Sequence, residues 1–239
     1  MKRNPFKELK RREWVLWIVS VIAVFFSNIA TGNIEFVTLA GTLTGVTALI
    51  FIAKGDVWGQ ILTVVFSFLY GITSLKFRYW GEIITYLGMT MPIAFMSVIT
   101  WLRHPYKKNK NEVKIHKLKK TEIIIMLLLT AVVTVIFGFI LKMCNTPNLF
   151  FSTVSITTSF LASYLMLYRN PYYALAYSAN DIVLIILWVL ASVEDIAYFP
   201  MVMCFTMFLI NDIYGFISWR KREKKQRMNK SPAEMPELC

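Results

Sequence analysis

The sequence predicts an all-α polytopic membrane protein of about eight transmembrane helices, and three observations lead there. The chain is 56% hydrophobic with only 17% charged residues, and its mean hydropathy is +0.54. Its apolar residues gather in runs of roughly 20, the length that crosses a hydrocarbon core, separated by short polar breaks. Its basic residues fall in alternate breaks, as membrane topology demands. Little chain is left for a soluble domain.

In order, the runs predict spans over 14–30, 35–53, 57–75, 80–102, 121–142, 149–167, 172–190 and 196–219. The first follows a basic start (Lys2, Arg3, Lys7, Lys10, Arg11, Arg12), the pattern of a signal peptide. Its end reads Ser27-Asn28-Ile29-Ala30, with Asn where cleavage wants a small residue, so a retained helix is expected. With the N-terminus in the cytoplasm, the cytoplasmic segments 1–13, 54–56, 103–120, 168–171 and 220–239 hold 6, 1, 8, 1 and 7 Lys or Arg. The other side keeps only Lys76, Arg78 and Lys142, and its 191–195 turn carries Glu194 and Asp195. One miscounted helix would invert every later segment and scramble this split. The net charge of +12 is therefore explained by topology and by attraction to the anionic lipid bilayer, and no nucleic-acid partner is expected.

Segments 41–103 and 154–221 share a cadence. Each opens with a hydroxyl-rich helix of small residues, Gly41, Thr42, Thr44, Gly45 and Thr47 in one and Ser155, Thr157, Thr158, Ser159 and Ser163 in the other. Each has a polar turn, Lys54-Gly55-Asp56 or Arg169-Asn170-Pro171, and closes on Trp101-Leu102-Arg103 or Trp219-Arg220-Lys221. An odd number of helices per unit, with one helix between, lets both units enter the membrane in the same direction. That is a parallel repeat of three plus one plus three, similar to the arrangement of SWEET proteins. The expected organisation is a basic N-terminus and additional helix over 1–33, a first three-helix unit over 34–103, and a basic loop with linker helix over 104–145. A second unit covers 146–221 and a polar cytoplasmic tail 222–239.

Ionisable groups at membrane depth cost several kcal/mol unless they face water, a partner or a ligand. Asp181, beside Asn180, lies mid-span, with Tyr177 four residues before it and Trp188 seven after it on the same helical face. An acid between aromatic rings suits a flat cationic or carboxamide-bearing ligand; the other reading is an interhelical hydrogen bond. Asp212 repeats the pair with Asn211 in the last span. It either faces Asp181 across a central cavity or packs against a tyrosine such as Tyr214. Glu82 is near the end of its span, where a gating role competes with a solvated one, and Tyr86 shares its face. Gln60, Ser67 and Tyr70 form a milder polar stripe, and Gly41-x-x-x-Gly45 is a helix-packing pattern. Pro92 suggests a kink or local opening of its helix.

Cys144, Cys204 and Cys239 form no disulfide or zinc framework, and His104 and His116 sit in a lysine-rich loop. There is no nucleotide loop, His-Glu-x-x-His or metal cluster. No cofactor, metal or catalytic residue is expected, and transport without an energy source of its own fits better than an enzyme.

The run TGVTALIFIAKGDVWGQILTVVFSFLYGITSLKFRYWGE resembles the PnuC family of bacterial vitamin transporters through Gly45, Ala53-Lys54-Gly55, Tyr70 and Gly81-Glu82. In the second half NDIVLIILW and NDIYGFISWRK fit as well, so that the resemblance spans about 36–221. It implies a SWEET-like fold with an extra N-terminal helix in a bacterial inner membrane, and allows a homotrimer. It also implies uptake of nicotinamide riboside by facilitated diffusion, with trapping by intracellular phosphorylation. One departure stands out: family members typically carry Trp-x-x-Trp where this chain has YYALAYSAND, with tyrosines at 172, 173 and 177. Thiamine, riboflavin or a non-transporting sensor role therefore remain as alternatives. By resemblance, Asp181, Asn180, Tyr177 and Trp188 are the primary site residues, with Glu82 and Asp212 secondary.

The charge split makes one expectation testable. In a cysteine-free background, a cysteine replacing Lys117 should be shielded from a membrane-impermeant maleimide in intact cells, whereas one replacing Glu194 should be labelled. The opposite pattern would invert the topology.

Overall fold

The computed structural model describes residues 4–31, 35–76, 79–107 and 110–229. Among them, eight helical spans are long and apolar enough to cross a membrane. They are α1 (Arg11–Ala30), α2 (Phe36–Ala53), α3 (Val57–Lys76), a fourth span made of α4 (Trp80–Ile83) and α5 (Met91–Arg103), α6 (Lys120–Met143), α7 (Leu149–Leu167), α8 (Tyr173–Glu194) and α9 (Phe199–Met228). Two details lie outside what the apolar runs predict. The basic loop folds a short antiparallel hairpin, β1 (Pro105–Lys107) with β2 (Lys110–Val113). The last helix continues to Met228, into the first part of the segment expected to be a polar tail, because its Arg, Lys, Glu and Gln residues are good helix formers.

Six spans close a ring. α2 packs on α3, α3 on α5, α5 on α7, α7 on α8, α8 on α9, and α9 back on α2. α1 lies outside the ring against α2 and α9, and α6 lies outside against α7. α6 exposes Leu127, Leu128, Val135 and Phe139, as a helix facing lipid does.

The two halves of the ring are built alike at the end that carries the termini and the hairpin. After α2, Gly55 takes a positive φ of 68°, and after α7, Arg169 does so at 55°. Gly55 N–H donates to the Ile52 carbonyl (2.8 Å) and Asp56 N–H to that of Phe51 (3.0 Å); Arg169 N–H donates to Met166 (2.9 Å) and Asn170 N–H to Leu165 (2.9 Å). Both turns are therefore Schellman caps that satisfy the last carbonyls of a helix. The next helix is then started in the same way, Asp56 Oδ1 accepting from Trp58 N–H (3.1 Å) and Asn170 Oδ1 from Tyr172 N–H (3.0 Å). The tryptophans that end each unit cross over: Trp219 Nε1–H donates to the Ile52 carbonyl (2.8 Å) and Trp101 Nε1–H to the Met166 carbonyl (3.3 Å). The two indoles meet with centroids 5.5 Å apart. A two-fold relation along the bundle axis would generate this reciprocity.

The fourth span is not uniformly α-helical. Over Ile84–Thr90 it widens into a π-helical stretch, the Met91 N–H donating to the Tyr86 carbonyl. Pro92 accounts for this, since it has no N–H for the carbonyl four residues back and its ring crowds that turn. The local opening expected at Pro92 is thus a widened helix, and it turns Tyr86 and Thr90 toward the ring interior.

Close helix approach rests on particular glycines. A Cβ on Gly59 would lie 2.5 Å from the Ile52 backbone nitrogen, whereas one on Gly88 would meet only Ile84 Cγ2, at 3.9 Å. Gly59→Ala should accordingly destabilise the protein by about 1–3 kcal/mol, while Gly88→Ala should be tolerated. Thermal unfolding in detergent measures both, and equal midpoints would contradict the α2–α3 packing described.

Candidate functional site

A narrow cavity opens at the middle of the ring, toward the terminal end of the bundle. It encloses about 50 Å³ and is lined from every ring span: Gly45, Gln60, Phe66, Tyr86, Ser97, Ser163, Tyr177, Asn180, Asp181, Phe208 and Asp212 are its main walls. Each enters through a helix whose other faces are apolar, so the polar groups converge only because the ring closes.

The acids are the chief feature. Asp181 is 2% exposed and Asp212 3%. They belong to adjacent helices, and both line the same cavity. Of the two arrangements the sequence leaves open for Asp212, facing Asp181 is the one found. Tyr214 instead donates to Glu13 Oε1 (3.2 Å) at the terminal end. Asn180, next to Asp181, accepts from Thr158 Oγ1–H at 2.8 Å. Tyr177 OH pairs with Ser163 Oγ at 3.1 Å. Gln60 Nε2, Ser97 Oγ and Asp181 Oδ2 are buried, with no hydrogen-bond partner among the described residues. A buried polar atom left unpaired costs about 1–3 kcal/mol, so these atoms favour water or a polar ligand in the cavity. Among the described residues, no Lys or Arg lines the cavity.

Not every candidate residue reaches this cavity. Trp188, Tyr70 and Glu82 build a separate cluster toward the far end. Trp188 Nε1–H donates to Tyr70 OH (3.0 Å), which donates to Glu82 Oε2 (3.3 Å). Glu82 is only 1% exposed, so the solvated reading of it does not hold. Packing of α4 against α3 and α7 buries it. Ser155 connects the two regions: its hydroxyl lies 3.5 Å from Glu82 Oε1 and 3.3 Å from Asn180 Oδ1, and its single proton serves one at a time. Asn211 is turned away from the ring centre. Its amide donates to Ser20 Oγ of α1 (2.9 Å) and to the Met207 carbonyl (2.7 Å), so it anchors the extra helix. Adjacent residues on a helix point about 100° apart, which is why only one member of the Asn211-Asp212 pair faces inward.

Aromatic side chains pack in layers beyond the cavity at both ends. At the far end Tyr79 and Trp188 rings sit 4.8 Å apart, with Tyr198 5.8 Å from Trp188. At the terminal end Trp219 packs on Trp101 and, at 4.9 Å, on Tyr173. Phe66, Phe208, Thr90, Ser97 and Ser163 were not singled out as ligand contacts by the sequence. Their side chains are of types that usually pack or bond their own helix, and only the ring brings them to the acids.

A polar centre walled by membrane-spanning helices, between two aromatic layers, is the architecture of a membrane transporter. Comparison with known proteins gives the particular family. The model of the family described as nicotinamide mononucleotide transporter matches residues 35–221, and the chain belongs to that family. It is similar to the nicotinamide riboside transporter PnuC of Neisseria mucosa, 23% identical over 216 residues that cover 89% of this chain and 81% of that protein. It is also similar to the nicotinamide riboside transporter PnuC of Haemophilus influenzae, 22% identical over 213 residues covering 88% and 91%. The crystal structure of the vitamin B3 transporter PnuC has the same fold, with a TM-score of 0.79 at 21% identity over 91% of this chain and 94% of that one.

The two polar roles separate in stability measurements. Gln60→Leu removes an unpaired buried amide and should leave stability unchanged or raise it by up to about 1 kcal/mol while weakening ligand binding. Asn211→Leu breaks two hydrogen bonds and should destabilise by roughly 1–2 kcal/mol without altering ligand affinity. Thermal unfolding with and without ligand reads both effects.

Proposed function

We propose that the chain takes up nicotinamide riboside by facilitated diffusion, binding it in the central cavity, and that phosphorylation inside the cell then traps it. The family description names the mononucleotide, whereas the relatives are named for the riboside, and the two ligands differ by a phosphate. One observation carries the choice: among the described residues, the lining holds two carboxyl groups and no cation. A phosphate monoester would stand beside Asp181 and Asp212 without a countercharge, at a cost of several kcal/mol. The riboside is a pyridinium cation with a carboxamide and ribose hydroxyls. Asp181 and Asp212 suit the cation, Tyr177, Tyr86 and Phe66 suit the ring, and Gln60, Ser97 and Asn180 suit the polar substituents. Tyr177 supplies the aromatic face that tryptophan supplies in other members.

A cavity of about 50 Å³ holds only a few waters. Ligand entry therefore requires one aromatic layer to part, and the two units would rock about the acids to expose the site to each side in turn. The reciprocal tryptophan contacts support two equivalent units of this kind. With the termini in the cytoplasm, as the distribution of basic residues supports, the cavity would lie nearer the inner side.

Proteoliposome uptake tests the reading. Labelled nicotinamide riboside should equilibrate without accumulating, the mononucleotide should compete poorly, and Asp181→Asn should lower uptake at least tenfold while the protein remains folded. Uptake of the riboside unchanged in Asp181→Asn would overturn the site. Preference for thiamine, which is also a cation, would keep the site and replace the substrate.

A further inference from the structure

A second, larger concavity of about 660 Å³ lies at the terminal end, away from the central cavity. It forms where the N-terminal turn Pro5–Glu8, the α2–α3 turn, β2 and the extension of α9 come together. Six cations line it, Lys10, Arg12, Lys54, Lys221, Arg222 and Lys225. Its deeper charges are internally matched. Lys54 donates to the Glu8 carbonyl and stands 3.9 Å from Glu13, while Arg222 pairs with Glu112 at 2.8 Å. Burial holds Lys54 below its ordinary basicity and the Glu13 carboxylate opposes that shift. Glu13 is further engaged by the Lys10 backbone N–H (2.7 Å) and Tyr214 OH. At the rim the balance differs. No ion pair between described residues engages Lys10, Arg12, Lys221 or Lys225, and Lys221 and Lys225 share one face of α9.

Beside this rim a shallow, open apolar hollow runs along the outer face of α1, past Arg11, Arg12, Val15, Leu16 and Val19. Val15 is 56% exposed and Val19 52%, on a helix that lies outside the ring. Arg12 belongs to both hollows, so a surplus of positive charge adjoins an exposed apolar strip of α1. A soluble phosphate would need only the first part, and a neutral lipid only the second. We propose that the two hollows form one site for an anionic glycerophospholipid, its phosphate held among Lys10, Arg12, Lys221 and Lys225 and an acyl chain laid along Val15, Leu16 and Val19. Such a lipid ties α1 to the extension of α9, adding to the packing of α1 on the membrane-spanning part of α9, which includes the Ser20–Asn211 and Glu13–Tyr214 hydrogen bonds.

Thermal unfolding of the detergent-purified protein tests this, titrated separately with phosphatidylglycerol, phosphatidylcholine and water-soluble glycerol phosphate. Phosphatidylglycerol should raise the midpoint saturably and the other two should not. The triple variant Arg12→Gln, Lys221→Gln, Lys225→Gln should unfold like the parent without lipid, and need roughly a hundredfold more phosphatidylglycerol for half the effect. A control, Lys119→Gln with Lys120→Gln at the start of α6, should respond like the parent. Equal stabilisation by phosphatidylcholine, or an unshifted triple variant, would overturn the proposal. Equal stabilisation by glycerol phosphate would assign the hollow to a soluble anion instead. An equally large loss in the control would show diffuse surface attraction and no site.

Discussion

Two indole N–H groups tie the two halves of this ring to each other at its terminal end. Each tryptophan that ends a three-helix unit donates to a carbonyl near the end of the first helix of the other unit, Trp219 to Ile52 and Trp101 to Met166. Those carbonyls already accept from the Schellman caps, so both lone pairs are used at a helix end where backbone groups are otherwise left open. In hydrocarbon an unsatisfied carbonyl has no water to turn to. The contacts therefore do two things at once: they complete the helix ends and they seat one unit against the other. The convergence of six helices on a common centre follows from that closure.

The centre is costly by design of the chemistry it serves. Asp181, Asp212 and the unpaired atoms of Gln60 and Ser97 lie in a space of about 50 Å³ between aromatic layers. Rigid packing surrounds this core on the far side, where Trp188, Tyr70 and Glu82 form a continuous hydrogen-bonded chain. Ser155, able to serve Glu82 or Asn180 with its one proton, sits between the chain and the cavity. A transporter must expose its site to each side in turn, and interactions with two alternatives of similar cost suit that requirement better than a single deep minimum.

Much of the site was legible because hydrocarbon makes carboxylates conspicuous. Asp181 and Asp212 stand out in any reading of the apolar runs, and Tyr177 follows from helical spacing. What spacing could not separate was which neighbour of an inward residue also points inward. Asn180 lines the cavity and Asn211 does not, although both precede an aspartate. Glu82 looked shallow by its position in the span, yet α3 and α7 cover it. Trp188 shares the face of Asp181 but sits two turns away, beyond the end of the cavity and inside the far aromatic layer.

The sequence by itself determined the number of spans, the polar breaks between them and the membership of the family, because those depend on composition over windows of roughly 20 residues and on local turn chemistry. The extra helical turns of α9 and the hairpin of the basic loop escaped it, since charged segments look alike whether helical, extended or irregular. Tertiary structure alone decided which polar groups meet. Whether Asp212 faces Asp181 or Tyr214, and whether a lysine joins an ion pair or a surplus of charge, depends on the rotation of each helix in the ring. That rotation is set by contacts such as Gly59 on Ile52 and Trp219 on α2, between residues far apart in the chain, and no local pattern encodes it.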